Sequence, residues 1–192
     1  MPYKIIRFLA GWIVRLLFRV EVVGRGRVPA AGGVIVCANH IHLFDPVLIA
    51  LAVERPIRFM AKAEIFSWPF LGFLAKKAGA FPVKRGSADI QAIKRSLTIL
   101  SGGEVLGIFP EGTRSKTLEM SAPTNGVILL AERTKVPIVP AAIWGEYRLG
   151  KRVRVVIGEA VELSSLSPEP YSRALAAENL MSHIKKLRDS LQ

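Results

Sequence analysis

The sequence predicts a single α/β domain built on a largely parallel or mixed sheet flanked by helices. Two observations carry that expectation. Short apolar runs of strand character alternate with segments of helical periodicity along the chain, the pattern of βα units. One run, Gly33–Ala38 (GVIVCA), is apolar without interruption, as in a strand covered on both faces. There is no internal repeat, low-complexity tract or linker long enough to split the domain.

In chain order, Glu21–Gly24 and Gly33–Ala38 read as strands, 46–53 (PVLIALAV) as a helix and 57–61 (IRFMA) as a strand. Pro69 to Ala78 reads as a short helix, and Phe81–Val83 as a short strand or turn. Residues 88–100 place Ile90, Ile93, Leu97 and Leu100 at helical spacing. Glu104–Phe109 (EVLGIF) is a strand stopped by Pro110, and 126–134 is helical. Val136–Ile143 (VPIVPAAI) is apolar but carries prolines, which remove ladder donors, so an irregular or edge strand is expected. Arg152–Ile157 alternates like a half-exposed strand. Residues 172–191 close the chain with Leu180, Ile184, Leu187 and Leu191 on one helical face.

Composition narrows the function. The 192 residues carry 27 Lys+Arg against 15 Asp+Glu, a net charge of +12, yet 51% are hydrophobic. A disordered basic tail is poor in apolar residues, so that class is excluded. A single cysteine, Cys37, excludes a disulfide scaffold and suits a reducing compartment. Basic and apolar together point to an anionic membrane surface or an anionic lipid more than to nucleic acid. A nucleic-acid module would interleave aromatics with its basic residues for stacking, and only three Trp and three Tyr are present.

Residues 4–23 are the greasiest segment, but Arg7, Arg15 and Arg19 interrupt it too often for a membrane span. At about 100° per residue, Lys4, Arg7, Arg15 and Arg19 fall within an arc of about 120°. Ile5, Ile6, Leu9, Trp12, Ile13, Leu16 and Leu17 cover the other side. This is the pattern of a basic amphipathic helix lying in a membrane interface. The plainer alternative is a core-packing helix with a solvated Arg stripe. On the membrane reading, residues 1–23 form a membrane-associating helix and 24–192 the main domain.

Chemistry is expected where ligands meet open α/β sheets, beyond the carboxyl ends of strands. GVIVCA runs into Asn39-His40-Ile41-His42-Leu43-Phe44-Asp45, and EVLGIF into Pro110-Glu111-Gly112-Thr113-Arg114-Ser115-Lys116. In a parallel sheet both loops open on the same edge. A His beside a carboxylate is the minimal general-base pair, because the carboxylate fixes the tautomer and supports the imidazolium. Asp45 precedes Pro46, which favours the first helical position, so Asp45 is expected to be the N-cap with 39–44 in a loop. Spacing leaves His40 and His42 as equal candidates for the base, and a purely capping Asp45 as the alternative. In the second loop, Arg114 and Lys116 beside Gly112 suit a phosphate, although the Walker A spacing is missing. There is no GxSxG elbow for a Ser nucleophile. Cys37, in an apolar run, reads as a small core hydrophobe. No metal is expected, since the only histidine beyond the HxHxxD cluster is His183, far off in the C-terminal helix.

These loops resemble the glycerolipid acyltransferases. The family pattern NHxxxxD matches Asn39-His40 to Asp45, and FPEGTRS matches Phe109–Ser115 without a change. GxxFxxR matches Gly79–Arg85, with Phe81 in the pattern displaced by one, and VPIVP matches Val136–Pro140. An AKxEL-like stretch appears at Ala61–Ile65. The blocks run in order over roughly residues 35–143. The resemblance implies acyl transfer from acyl-CoA or acyl carrier protein to the sn-2 hydroxyl of lysophosphatidate, giving phosphatidate. Glycerol 3-phosphate or another lysophospholipid is the alternative acceptor, and a basic membrane- or nucleic-acid-binding module the alternative from charge alone. It implies His40 as general base, Asp45 as its orienting partner, and Glu111, Gly112, Thr113 and Arg114 as binders of the glycerophosphate. Lys62 and Arg85 would add positive charge. It implies no cofactor beyond the acyl thioester, and peripheral or monotopic attachment to the cytoplasmic face of the cell membrane.

Overall fold

The computed structural model describes residues 2–84, 89–114 and 126–192. The elements are α1 (Pro2–Leu17), β1 (Arg19–Val23), β2 (Val34–Ala38), α2 (Asp45–Ala52), β3 (Ile57–Lys62), α3 (Pro69–Lys77) and β4 (Phe81–Val83). They continue with α4 (Ile90–Ser101), β5 (Val105–Ile108), α5 (Gly126–Thr134), β6 (Ile138–Gly145), β7 (Arg152–Ile157), α6 (Leu163–Leu166) and α7 (Arg173–Asp189). The described strands form one seven-stranded sheet in the order β1-β7-β6-β2-β5-β3-β4. Strands β6, β2, β5, β3 and β4 are mutually parallel. β7 runs antiparallel to β6, and β1 parallel to β7. The expected α/β sheet is therefore present, mixed through β7 and β1 at one edge.

Strand residues alternate between two cores, as a period of two requires. Ile35, Cys37, Leu106 and Ile108 point to a core closed by α4, α5 and α7. Val34, Val36, Ala38 and Val105 point the other way, to Leu48, Ile49 and Ala52 of α2 and Val14 of α1. β2 is buried at every position, which accounts for its uninterrupted apolar sequence.

Three elements depart from the sequence reading. First, the proline-bearing segment is not an edge strand: β6 lies inside the sheet, between β7 and β2. Within a strand, the N–H and C=O of one residue point the same way. The Pro140 carbonyl accepts from Gly158 N at 2.7 Å, on the β7 side. Its missing donor thus falls in a gap of that ladder, between the Ala141–Ile157 pair and the Ile138–Val161 bridge. The β2 side of the strand stays fully paired. Second, the N-terminal helix ends at Leu17, and residues 19–23 join the sheet as β1 beside β7. Arg19 is therefore a strand residue.

Third, α1 does not carry all its cations in one solvated stripe. Arg7 turns inward, and its Nη1 donates to the Glu54 carbonyl at 3.1 Å. The protein-facing side of α1 is narrow and contains Gly11 and Val14. A Cβ at Gly11 would stand 2.6 Å from Leu51 Cδ2, so glycine lets α1 lie close on α2. Ile5, Phe8, Leu9, Trp12, Ile13 and Leu16 face outward and are 48–70% exposed. No helix among the described residues is long and apolar enough to cross a membrane.

Gly107 of β5 permits the packing that leads into the site. A Cβ there would lie 2.2 Å from Phe59 Cε1. The bare backbone lets the Phe59 ring lie across β5 and stack on Phe109 at 5.8 Å. Gly107→Ala is expected to destabilise the fold by about 1–3 kcal/mol through overpacking, read from denaturant unfolding.

Candidate active site

The site lies where β2 and β5, adjacent and parallel, release their chains at the same sheet edge. Asn39, the first residue beyond β2, is buried and clasps the neighbouring strand. Its Nδ2 donates to the Ile143 carbonyl at 3.0 Å, and its Oδ1 accepts from Ile143 N at 2.8 Å. One amide side chain thus substitutes for a strand neighbour and holds the loop mouth against β6.

His40 follows with its ring over Phe109, at 4.2 Å between centroids and 21° between planes. Its backbone N–H donates to Glu111 Oε1 at 2.9 Å, tying the first loop to the second. Its Nδ1 lies 2.8 Å from Asp45 Oδ2. An imidazole that donates from Nδ1 to a carboxylate carries its free lone pair on Nε2. This is the arrangement a general base needs.

Asp45 is not the helix cap that the sequence reading expects. It is the first residue of α2, and Phe44 occupies the cap position without a side-chain bond. Its carboxylate is turned back onto the preceding loop. Oδ2 also accepts from Ile41 N at 2.6 Å and His42 N at 2.7 Å. Oδ1 accepts from the Tyr147 hydroxyl. With these donors engaged, the carboxylate is fully buried and its charge is compensated.

The two histidines are thereby separated. His40 pairs with Asp45 through its ring, whereas His42 meets Asp45 through its backbone. The His42 ring lies on Tyr147 at 4.0 Å and 18°, and its Nδ1 accepts from Phe44 N at 3.4 Å. Burial holds the His42 imidazole below its ordinary pKa, helped by Arg114 and His40 and opposed by Asp45. Burial, aided by Glu111, pushes the Cys37 thiol well above the usual range, so it is not a thiolate nucleophile.

The remaining expected residues divide. Gly112 and Thr113 form the turn after β5, closed by Gly112 N donating to the Phe109 carbonyl at 3.1 Å. Arg114 is exposed beyond them, and its charge is felt at His42. Glu111 is buried and engaged on the His40 backbone, a task other than phosphate contact. Lys62 ends β3, and its Nζ pairs with Glu64 at 3.0 Å. Arg85, Ser115 and Lys116 lie outside the described residues. His183 belongs to α7 and takes no part in this cluster. Sequence reasoning missed Tyr147 as a site residue and Asn39 as a clasp. Tyr147 is 102 positions from Asp45, and no local spacing links them.

Asn39→Ala would leave both polar backbone groups of Ile143 unsatisfied in a buried setting. The expected cost is about 2–4 kcal/mol, measurable by denaturant unfolding.

A family model described as Acyltransferase matches residues 19–144. The chain is 32% identical over 188 residues to the 1-acyl-sn-glycerol-3-phosphate acyltransferase of Bacillus subtilis, covering 93% of each. It is 36% identical over 144 residues to the lyso-ornithine lipid O-acyltransferase of Pseudomonas aeruginosa, covering 71% of this chain and 53% of that protein. Its fold matches the crystal structure of the 1-acyl-sn-glycerophosphate acyltransferase PlsC from Thermotoga maritima. That match has a TM-score of 0.75 at 25% identity, covering 96% of this chain and 79% of that one. With the family's match spanning the paired His40 and Asp45 and the loop they face, the chain belongs to the acyltransferase family.

Proposed function

We propose that the protein transfers a fatty acyl group from acyl-CoA or acyl carrier protein to the sn-2 hydroxyl of lysophosphatidate, forming phosphatidate. The observation that carries this reading is the His40–Asp45 pair, with the charge of Arg114 reaching the neighbouring His42, in a chain that matches the Bacillus subtilis acyltransferase nearly end to end.

The chemistry follows from the geometry. The acceptor hydroxyl is a weak nucleophile at neutral pH. His40 takes its proton at Nε2 as the oxygen forms a bond to the thioester carbonyl carbon. The tetrahedral intermediate then breaks its C–S bond, and the proton passes on to the departing thiolate. Asp45 holds the imidazolium without taking its proton. A thiolate leaves readily, so no acyl-enzyme is needed. Arg114, with Lys62 and Arg85, holds the phosphate and thereby places the hydroxyl at His40, a positioning contribution. Gly112 and Thr113 shape the turn that carries Arg114, and Glu111 ties that turn to His40.

The acceptor and product are membrane lipids, and two helices suit a bilayer. The outward face of α1 is apolar, with Lys4 and Arg15 exposed on it. Beside α1 lies α3, whose segment exposes Trp68, Phe70, Leu71 and Phe73. α3 ends in Lys76 and Lys77, with Lys77 Nζ 5.6 Å from the Phe73 ring centre. Aromatic residues backed by lysines match the interfacial zone of an anionic leaflet. The protein is monotopic on this reading and sits on the cytoplasmic face, where a lone buried thiol such as Cys37 stays reduced.

His40→Ala is expected to lower acyl transfer by about 100- to 10,000-fold while the lysophosphatidate dissociation constant stays near wild type. Retained activity in His40→Ala, with loss in His42→Ala, would reverse the assignment. Arg114→Ala should raise KM for the acceptor by roughly 10-fold and leave KM for the acyl donor unchanged. An acceptor panel of lysophosphatidate, glycerol 3-phosphate and other lysophospholipids decides the substrate. Replacing Trp12 and Phe70 together by Glu should reduce co-flotation with anionic vesicles by at least roughly 10-fold.

A further inference from the structure

We propose that Tyr147 is a positioning residue for acyl transfer: its hydroxyl fixes the far oxygen of Asp45 and so sets the plane in which His40 works. The inference rests on His40 as the base.

The Asp45 carboxylate has two oxygens with different duties. Oδ2 gathers the His40 ring and the backbone N–H groups of Ile41 and His42. Oδ1 meets the Tyr147 hydroxyl. Asp45 is fully buried, so bulk water does not stand in for that hydroxyl. Rotation about the Cβ–Cγ bond of Asp45 is therefore set from both ends. Burial and the Asp45 charge push the Tyr147 phenol well above its usual pKa, which keeps its proton on the donating side.

Tyr147 is itself held on two sides. The His42 ring stacks on it, and Phe18, just past the end of α1, meets it edge-on at 5.3 Å and 82°. The same Phe18 also touches Phe44 at 5.9 Å. This gives the second histidine a reason to be present. His42 supplies a flat wall for Tyr147 and a backbone donor for Asp45, and its ring does not compete for the carboxylate. The ionisable groups near His40 are Asp45 from α2, Glu111 from the loop after β5, His42, and the Tyr147 phenol after β6, with Arg114 of that same loop acting on His42.

A hydroxyl bonded to Asp45 draws negative charge away from the oxygen facing His40. Without it, Asp45 holds the His40 imidazolium more strongly. Tyr147→Phe keeps the ring and its stack. It is expected to lower kcat about 10- to 100-fold, with both KM values within about twofold of wild type. Its acidic limb of kcat/KM should move to higher pH. Incorporating 3-fluorotyrosine at position 147 makes the phenol a stronger donor, so the limb should move to lower pH. Opposite shifts support the proposal, and the fluorinated variant decides alone if Tyr147→Phe does not fold. Unmoved limbs, or limbs moving together, overturn it. His40→Ala in the same assay separates the two readings: an active His40→Ala removes the base assignment itself. An inactive one beside unshifted Tyr147 variants removes only the role of Tyr147.

Discussion

The buried carboxylate of Asp45 is the constraint around which the active-site edge is organised. A fully buried anion is costly unless its oxygens are paired. Here the payment in hydrogen bonds is made by Ile41 N, His42 N, the His40 ring and Tyr147. Each of those donors must sit at a set place, so the loop from residue 39 to 44 is wrapped tightly about one side chain. The start of α2 belongs to the same arrangement, since Asp45 opens that helix while its carboxylate faces away from the helix N–H groups. The loop conformation and the orientation of His40 are thus one structural fact.

That arrangement has to be anchored to the sheet, and two further contacts do so. Asn39 closes on Ile143 of β6, and Glu111 accepts from the His40 backbone. The first ties the loop to the strand on one side of β2, and the second to the loop after the strand on the other side. Beneath them, Phe109 and Phe59 form a stacked floor under the His40 ring, made possible by the missing side chain at Gly107. Polar clasps at the sides and aromatic stacking below hold the imidazole without drawing on its Nε2.

Much of this was legible in the sequence, for physical reasons. Uninterrupted apolar runs reported buried strands, and polar sequence just beyond β2 and β5 reported the edge where they end. The parts that were not legible depend on distant partners. Pro140 looked like an edge residue because its missing donor is visible in sequence, whereas the ladder gap that absorbs it is made by Gly158 and Val161. Asp45 looked like a cap because a following proline marks a helix start, whereas its oxygens turn back to the preceding loop and to Tyr147, 102 residues away. Spacing could not choose between His40 and His42, because the choice is made by which group turns its ring and which its backbone toward Asp45. The N-terminal helix stopped early because β7 offers residues 19–23 a strand partner.

The net charge of +12 divides accordingly, and the division bears on what the surface can do. Several arginines donate to backbone carbonyls of the fold, although Arg25 and Arg27 remain exposed. Arg25 Nη1 donates to the Leu51 carbonyl at 2.9 Å, Arg27 Nη1 to Ile157 at 2.9 Å, and Arg55 Nη1 to Pro29 at 2.8 Å. Arg7 caps the Glu54 carbonyl in the same way. Leu51 lies in the last turn of α2 and Ile157 ends β7, whereas Pro29 and Glu54 lie in loops; the planar guanidinium fork suits such carbonyls. The cations left at the surface of α1 and α3 are few, and they stand beside exposed Trp and Phe. A polyanion reader needs a basic stripe with phosphate-scale spacing, whereas an interfacial protein needs apolar area first and only a few cations to bias it toward an anionic leaflet. On the proposed reading, the arrangement of α1 and α3 serves the second need. It places that apolar area at the helix beyond whose end Phe18 touches Tyr147, the donor to the Asp45 carboxylate.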